Sequence, residues 1–508
     1  MRAAQLRAVL PRELLASVVV FLVALPLCMG IAIASGLPPA KGLITGIIGG
    51  LVVGWLAGSP LQVSGPAAGL AVLVFELVRQ HGVAMLGPIL LLAGLLQLLA
   101  GRLKLGCWFR VTAPAVVYGM LAGIGVLIVL SQVHVMLDGV PKPSGLDNLA
   151  AFPAAVMQAL PSLGWQAGLL GLSTMAVMWL WEKFRPHSLR FVPGALLGVG
   201  LATVASLMLA LQVKRVEVPA NLAEAIDWLK PADLLNLADP TLLVAAFAVA
   251  FIASAETLLS AAAVDRMHSG QRSDFDRELS AQGVGNMLCG LLGALPMTGV
   301  IVRSSANVQA GATTRLSAIF HGLWLLAFVL LLSSLLQSIP VASLAGVLVY
   351  TGFKLVDLKA FRGLGRYGRM PMFTYAATAL AIIFTDLLTG VLIGFGLTLA
   401  KLAWKASRLK ISLIDLPTVG EMELRLTGAA TFLKVPALTQ VLGTIPAGAT
   451  VHVPLNNLSY IDHSCLELLE EWGRANAAKG STLLIEARGL KRRLEGRLRT
   501  TSRVGSTA

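Results

Sequence analysis

The hydrophobic positions of this chain come in long runs rather than in alternation. Mostly apolar stretches cover residues 14–34, 41–57, 66–77, 85–100, 113–131, 165–181, 193–211, 241–263, 279–293, 304–312, 315–336, 341–356, 373–385 and 388–402. Runs of this kind read as helices that span or half-span a bilayer, where only an internally hydrogen-bonded backbone is stable. They make fourteen segments, an even number, so both ends of the membrane region fall on one side. The third and tenth segments are short. If the chain is two repeats of seven, the short segments occupy matching places. An odd number of spans per repeat then inverts one repeat relative to the other.

Each short segment is preceded by a strand-like stretch. "SPLQVSGPAAGLAVLVFEL" (59–77) reads turn, strand, Gly65-Pro66 and then helix. "ALPMTGVIVRSSANVQAG" (294–311) reads turn, strand, polar cap and then helix. Paired, interrupted apolar segments in corresponding places point to a transporter's binding site. Irregular backbone at membrane depth is tolerated only inside protein or along a cavity. The alternative is two re-entrant kinks that hold no ligand.

After residue 405 the pattern changes. Residues 421–487 alternate strand, helix, strand, helix, strand, which predicts a small α/β domain. The predicted divisions are a membrane domain at 1–405, the α/β domain at 406–490 and a basic, poorly ordered tail at 491–508, in which "LKRRLEGRLR" has helical character.

Composition agrees. Of 508 residues, 56% are hydrophobic and 13% charged, with a mean hydropathy of +0.79, which belongs to the membrane class. The net charge of +14 invites a nucleic-acid reading. Topology explains it better, because the basic residues cluster in alternate short loops. With the N-terminus inside, the cytoplasmic loops hold Arg102, Lys104 and Arg110; Lys183, Arg185 and Arg190; Arg266, Arg272 and Arg277; and Lys359, Arg362, Arg366 and Arg369. Both termini are therefore expected in the cytoplasm. Cys28, Cys107, Cys289 and Cys465 are scattered without a CxxC pair, against a disulfide framework or a zinc site. The run from Leu14 is too long for the core of a cleavable leader, so none is expected. No nucleophile elbow, phosphate loop or metal cluster is found, so an enzyme is not expected.

The candidate chemistry follows from the short segments. Two half-helices of opposite orientation bring their N-termini together near the midplane, and free N–H groups with the helix dipoles make an anion site there. Ala67, Ala68 and Gly69 supply backbone-accessible positions at the first, and Ser304 and Ser305 supply caps and hydroxyl donors at the second. Arg303 adds a full charge. A membrane-buried arginine faces a cavity or a partner, and the alternative is a structural arginine paired with a carbonyl or carboxylate. Its candidate partner is Glu256 in "FIASAETLLSAAAVD". A buried carboxylate there binds a cation or takes up a proton, or simply fixes the fold as an Arg303–Glu256 pair. Pro26 is expected to kink the first segment and set Leu27, Cys28 and Ile31 along one face, as a wall of the site or as core. Gln282 and Asn286, four apart, read as packing glue between helices.

Four stretches resemble one family. "ALPLCMGIAIASGLPPAKGLITGIIGG", "VSGPAAGLAVLV", "ELSAQGVGNMLCGLLGALPMTGVIVRSSANVQAGATTRLSAIFHG" and the terminal α/β unit are together similar to bacterial SulP anion transporters. That family comprises sulfate permeases, cyanobacterial bicarbonate transporters, dicarboxylate carriers and the mammalian exchangers that include pendrin and prestin. The resemblance implies seven-plus-seven inverted repeats with core and gate domains, an elevator-like motion, a homodimer and a C-terminal STAS domain. It implies a substrate site at Ala67, Ala68, Gly69, Leu27, Ile31, Val302, Arg303 and Ser304. It also implies a cation or proton coupling site at Glu256, Ser260 and Thr298, with a sodium ion near Glu256 as one reading. The chain departs from the pattern in two places. The sodium-coupled members carry aspartate where this chain has Glu256, which keeps protons open. Threonines common in the third segment are replaced by Ala67 and Ala68, so backbone donors must do more. In the STAS-like turn "YIDHSCLELL", His463 stands where related domains have a phosphorylated serine, and Cys465 where they have glycine. A dimerisation or partner-docking role is expected there rather than phosphorylation.

The expected function is secondary active transport of small inorganic anions in a bacterial inner membrane, bicarbonate slightly ahead of sulfate, coupled to sodium or protons. No resident cofactor is expected. The alternatives are a dicarboxylate–proton symporter, an anion channel, or a signalling scaffold whose STAS domain recruits a cytoplasmic partner.

Overall fold

A computed structural model describes residues 3–106, 114–142, 144–186, 189, 192–219, 222–235, 239–406 and 409–486. Cys107, Arg110, Arg190 and the tail at 491–508 lie outside the described residues. The chain divides into two compact units, Met1–Phe395 and Gly396–Ala508.

Each of the fourteen apolar runs falls on helix. In chain order these are α1 (Ala3–Ala34), α2 (Pro39–Ile48), α3 (Ala68–His81), α4 (Val83–Arg102) and α5 (Pro114–Met136). An added helix, α6 (Gly145–Ala159), precedes α7 (Gly164–Phe184), α8 (Gly194–Met208), α9 (Pro240–Val264) and α10 (Phe275–Leu291). Then come α11 (Ile301–Gln309), α12 (Leu316–Leu331), α13 (Val341–Leu355), α14 (Arg369–Phe384) and α15 (Leu387–Ala406). Among the described residues, 7 helices are long and apolar enough to cross a membrane, or up to 8 if α6 and α7, bent by 115°, count as one span. This is a polytopic helical membrane fold. α1 remains helical through Pro11 and Pro26. α2 passes through a π turn at Gly49–Val53 into Gly54–Leu56.

Two features differ from the sequence expectation. α6 arises from a stretch broken by Pro153 and half-exposed along its length, so no apolar run marks it. α11 begins at Ile301, three residues ahead of the predicted start, with Val300 as the N-cap. Ser304 and Ser305 therefore lie inside the helix and cap nothing. Their hydroxyls donate to Val300 O at 2.7 Å and to Val302 O at 2.9 Å. The helix starts early because the preceding strand ends at Gly299.

The helices pack in two groups. In the first, α4 lies along α9 and α10, and α1 lies against α2, α11 and α12. In the second, α5 lies along α13 and α14, and α7 along α8 and α13. Glycines let backbones meet inside each group. A methyl on Gly94 of α4 would stand 2.5 Å from Gly283 O of α10, and one on Gly125 of α5 would stand 2.5 Å from Gly352 O of α13. Without a hydrophobic drive between helices in lipid, such close approach is what holds them. α1 also touches α8 and α13, and α3 touches α5, so the groups meet along these elements. The segment after α8 ties to both. Val216 N donates to Ile339 O and Val341 N to Lys214 O, each at 2.9 Å. Farther on, Asp227 pairs with the buried Lys41 at 2.5 Å, and Leu229 N donates to Leu291 O at 3.0 Å.

The second unit carries a five-stranded sheet and two helices. The strands are β3 (Leu409–Asp415), β4 (Glu421–Ala430), β5 (Thr450–Pro454), β6 (Leu458–Ile461) and β7 (Thr482–Glu486); the helices are α16 (Val435–Leu442) and α17 (His463–Ala477). β3 pairs antiparallel to β4, whereas β5 and β6 pair parallel to β4 and β7 parallel to β5. β3 and β6 add to the predicted strand–helix alternation. Leu424, Leu426, Leu438, Val451, Val453 and Leu469 form its dry interior. Asp462 caps α17 by accepting from Cys465 N at 3.0 Å, and His463 pairs with Glu467 at 2.9 Å on the exposed face.

Candidate functional site

Two three-residue strands, whose first residues Ser64 and Met297 lie 233 positions apart, form one antiparallel ribbon. β1 (Ser64–Pro66) pairs with β2 (Met297–Gly299) in the register Ser64↔Gly299, Gly65↔Thr298 and Pro66↔Met297. Each strand runs at once into a short helix, α3 after Ala67 and α11 after Val300. Because the strands are antiparallel, the helices leave the ribbon from opposite ends. Neither helix start has a side-chain cap. Among the described residues no side chain therefore competes for the first-turn amides, although Leu70 N of α3 donates to Ala67 O at 3.2 Å.

The ribbon is held by polar side chains that the sequence scattered widely. Asn286 accepts from Met297 N at 2.8 Å and donates to Gln97 Oε1 at 2.7 Å. Gln97 in turn donates to Ser254 Oγ at 3.1 Å. Gln282 donates to Ser64 Oγ at 2.6 Å, and Thr257 Oγ1 accepts from Gly299 N at 3.1 Å. The predicted helix-to-helix glue thus grips the strands themselves. Ser304 Oγ accepts from Val63 N at 2.9 Å, stitching α11 to the chain entering β1.

In front of the helix starts lies a cavity of ≈ 1010 Å³. Its inner wall is made by Leu27 and Ile31 of α1, Ala68 and Gly69 of α3, Glu256 and Ser260 of α9, and Ile301, Val302 and Ala306 of α11. Glu256 presses on the first turn of α3. A methyl on Gly69 would lie 2.8 Å from its Oε2 and 2.9 Å from its Oε1. Oε2 has no hydrogen-bond partner. A carboxylate therefore stands at the positive end of a helix, the place an anion would take.

Other predicted site residues lie behind this wall. Ala67, Thr298, Arg303 and Ser304 are buried and are absent from the cavity lining. The reason is helical phase. On α11, Val302, Ala306 and Gln309 share the cavity stripe, and Arg303, Ser304 and Asn307 share the opposite, buried one. The Arg303 guanidinium is fully buried, with Nη2 3.5 Å from Pro66 O and with Nε and Nη1 unpartnered. A side chain on Gly65 would strike Nη1. Cys28 and His321 stand within its electrostatic reach. The anticipated Arg303–Glu256 ion pair is absent among the described residues, because the charges lie on opposite sides of the half-helix starts.

Toward its mouth the cavity is lined by Glu182, Arg185, Tyr350 and Lys354. The sequence signal for them is weak: Glu182, Arg185 and Lys354 are charged residues near the end of an apolar run, where water is available, and Tyr350 is a lone tyrosine within one. Among the described residues, no group of three His, Cys, Asp or Glu side chains could hold a metal ion.

Comparison with known proteins agrees with this architecture. Residues 10–378 match the sulfate permease family. The chain is 30% identical over 389 residues to the putative sulfate transporter YvdB of Bacillus subtilis, covering 75% of this chain and 72% of that one. Among solved structures it is similar to the transmembrane domain of a cyanobacterium bicarbonate transporter, BicA, with a TM-score of 0.65 at 27% identity over 75% of this chain and 97% of that one. It shares its fold with the murine solute carrier 26 family member A9 anion transporter in the inward-facing state, with a TM-score of 0.80 at 14% identity, over 96% of this chain and 87% of that one. With a family match across most of its length, and a cavity built at two facing helix starts, the chain belongs to the sulfate permease family, whose members are membrane transporters and not enzymes.

Proposed function

We propose that this protein is a secondary transporter of small inorganic anions, bicarbonate ahead of sulfate. The observation that carries the reading is the pair of uncapped helix starts, α3 and α11, opening on one cavity with the Glu256 carboxylate against Gly69. The anion sits where the amides of both helices converge, over Ala68, Gly69 and Val302, with Leu27 and Ile31 as its apolar wall. Arg303 acts from behind as a fixed positive charge, and Ala67 and Ser304 shape the backbone that presents the donors. An anion and a charged Glu256 repel each other, so a proton or sodium ion on Glu256 makes room for the substrate. That is the physical basis of coupling. The oxygen donors of Glu256 and Ser260 are of the type sodium takes, and Thr298 supports them from behind the ribbon.

Two helix groups meeting across the cavity support an elevator motion of a core (α1–α4 and α9–α12) past a gate (α5–α8 and α13–α15). The matching positions of α3 and α11 support inverted seven-helix repeats. The basic loops near Lys183 and Lys359 lie on the side of the mouth, which supports a mouth that opens to the cytoplasm, with both termini there, in a bacterial inner membrane. The C-terminal unit is read as a STAS domain that docks a second copy or a cytoplasmic partner.

Uptake of radiolabelled bicarbonate, sulfate and fumarate into proteoliposomes at several pH and sodium values tests this. Glu256→Gln is expected to support uptake that no longer responds to pH or sodium. Wild-type pH and sodium dependence in that variant would remove Glu256 from coupling. Fumarate carried in preference to both inorganic anions would favour the dicarboxylate reading.

A further inference from the structure

Among the described residues, the cations of the cavity lining are Arg185 and Lys354, and both stand toward its mouth rather than at the helix starts. Lys354 and Tyr350 are one turn apart on α13 and point at one acceptor. Lys354 Nζ lies 2.5 Å from Glu182 Oε1 and 2.6 Å from Oε2, and Tyr350 OH donates to Oε2 at 2.6 Å. Lys354 Nζ also rests 4.8 Å from the centre of the Tyr350 ring. Glu182 reaches this pair from the end of α7, so two helices of the same group meet through it.

We propose that Tyr350 and Lys354 form a second anion site, a relay between the helix-start site and solvent, which Glu182 fills as a tethered carboxylate. The inference rests on the transport reading above. The occupant it would take is a small anion with carboxylate-like oxygens, bicarbonate or a small carboxylate, because the pair now binds two oxygens of one planar group. The trio is not sealed: the side chains of Glu182 and Lys354 are 37% and 53% exposed. An ion pair this exposed contributes little to stability, so a passing anion exchanges with Glu182 easily. The other carboxylate of the lining at the mouth, Asp357, is engaged in capping by Lys359 N and Ala360 N at 2.8 and 2.9 Å and does not compete for Lys354. With Glu182 displaced into water, the mouth offers an ammonium and a hydroxyl in place of a neutralised pair.

The test exploits signs. A merely structural ion pair is broken equally by Glu182→Gln and by Lys354→Met, so both would act alike. A relay site is emptied by the first and destroyed by the second. Full-length protein is reconstituted in the two opposite orientations, and the half-saturation concentration for bicarbonate is measured on each face. On the face where the cavity opens, Glu182→Gln is expected to lower it roughly threefold to tenfold, and Lys354→Met to raise it by a similar factor. Tyr350→Phe should raise it about twofold to threefold. The other face should not change. Shifts of the same sign for Glu182→Gln and Lys354→Met, no shift in either, or equal shifts on both faces would overturn the proposal. Absence of anion uptake by the wild-type protein would instead overturn the transport reading, and this one with it. If Lys354→Met fails to insert, Tyr350→Phe against Glu182→Gln gives the same opposition of signs.

Discussion

The two half-helices look equivalent as a pattern and differ as chemistry. α3 starts with small residues, and its first turn is met from the front by a carboxylate, Glu256 against Gly69. α11 starts with Ile301 and Val302 and is backed by a cation, Arg303, on its buried stripe. One helix start is thus partly occupied by a carboxyl side chain, and the other is backed by a buried arginine. A symmetric pair of dipoles would bind anions without regard to any coupling ion. Under the coupling proposed above, the asymmetry would let one helix report the charge state of Glu256 while the other keeps a constant pull.

This comparison can be broken at either helix. The largest effect is expected at Gly69. Gly69→Val places methyl groups where the Glu256 carboxyl now lies, and the transport rate should fall roughly a hundredfold as the binding geometry at this helix start is displaced. Val302→Ala, at the corresponding front of α11, meets open cavity and should stay within about threefold. Uptake assays on both variants compare the two fronts directly, and equal losses would make the helices equivalent after all.

A smaller effect separates the front of α11 from its back. Arg303→Met keeps the volume and removes the charge, and the half-saturation concentration should rise roughly tenfold, the equivalent of about 1.4 kcal/mol. Arg303→Lys should recover part of it. An unchanged value would reduce Arg303 to packing. The smallest effect on transport is expected for Ser304→Ala, which leaves the buried Val63 N–H unpaired and should cost about 1–3 kcal/mol of stability. A thermal melt in detergent reads that loss while anion affinity stays near wild type. Ser260→Ala, in the cavity wall, should do the reverse.

How much was legible beforehand depends on the kind of signal. Apolar runs are local and redundant signals, so all fourteen coincide with helix. α6 has no such run, because its partly exposed, proline-broken pattern resembles a loop. The strand character before each half-helix could be read from β-branched residues and glycines, but not that Gly65 pairs with Thr298. Gln97, Thr257, Gln282 and Asn286 were visible as membrane-buried polar groups, and what they grip was not. Arg303 and Glu256 stand out in the sequence as charges inside apolar segments. They do not pair, because Arg303 lies on the buried stripe of α11 whereas Glu256 faces the cavity from α9. Glu182, Tyr350 and Lys354 carry little sequence signal, because single polar residues along apolar segments are ordinary until three of them point at one spot.

By itself, the sequence determined the membrane class, the helical segments, the two interruptions and the small α/β unit, since these depend on periodicity, composition and the cost of exposing backbone in lipid. The tertiary structure alone decided which face of α11 meets the cavity, which carboxyl group sits on Gly69, and that the arginine stands behind the cavity wall. Those outcomes turn on helical phase and on contacts between residues hundreds of positions apart, neither of which any local stretch of chain encodes.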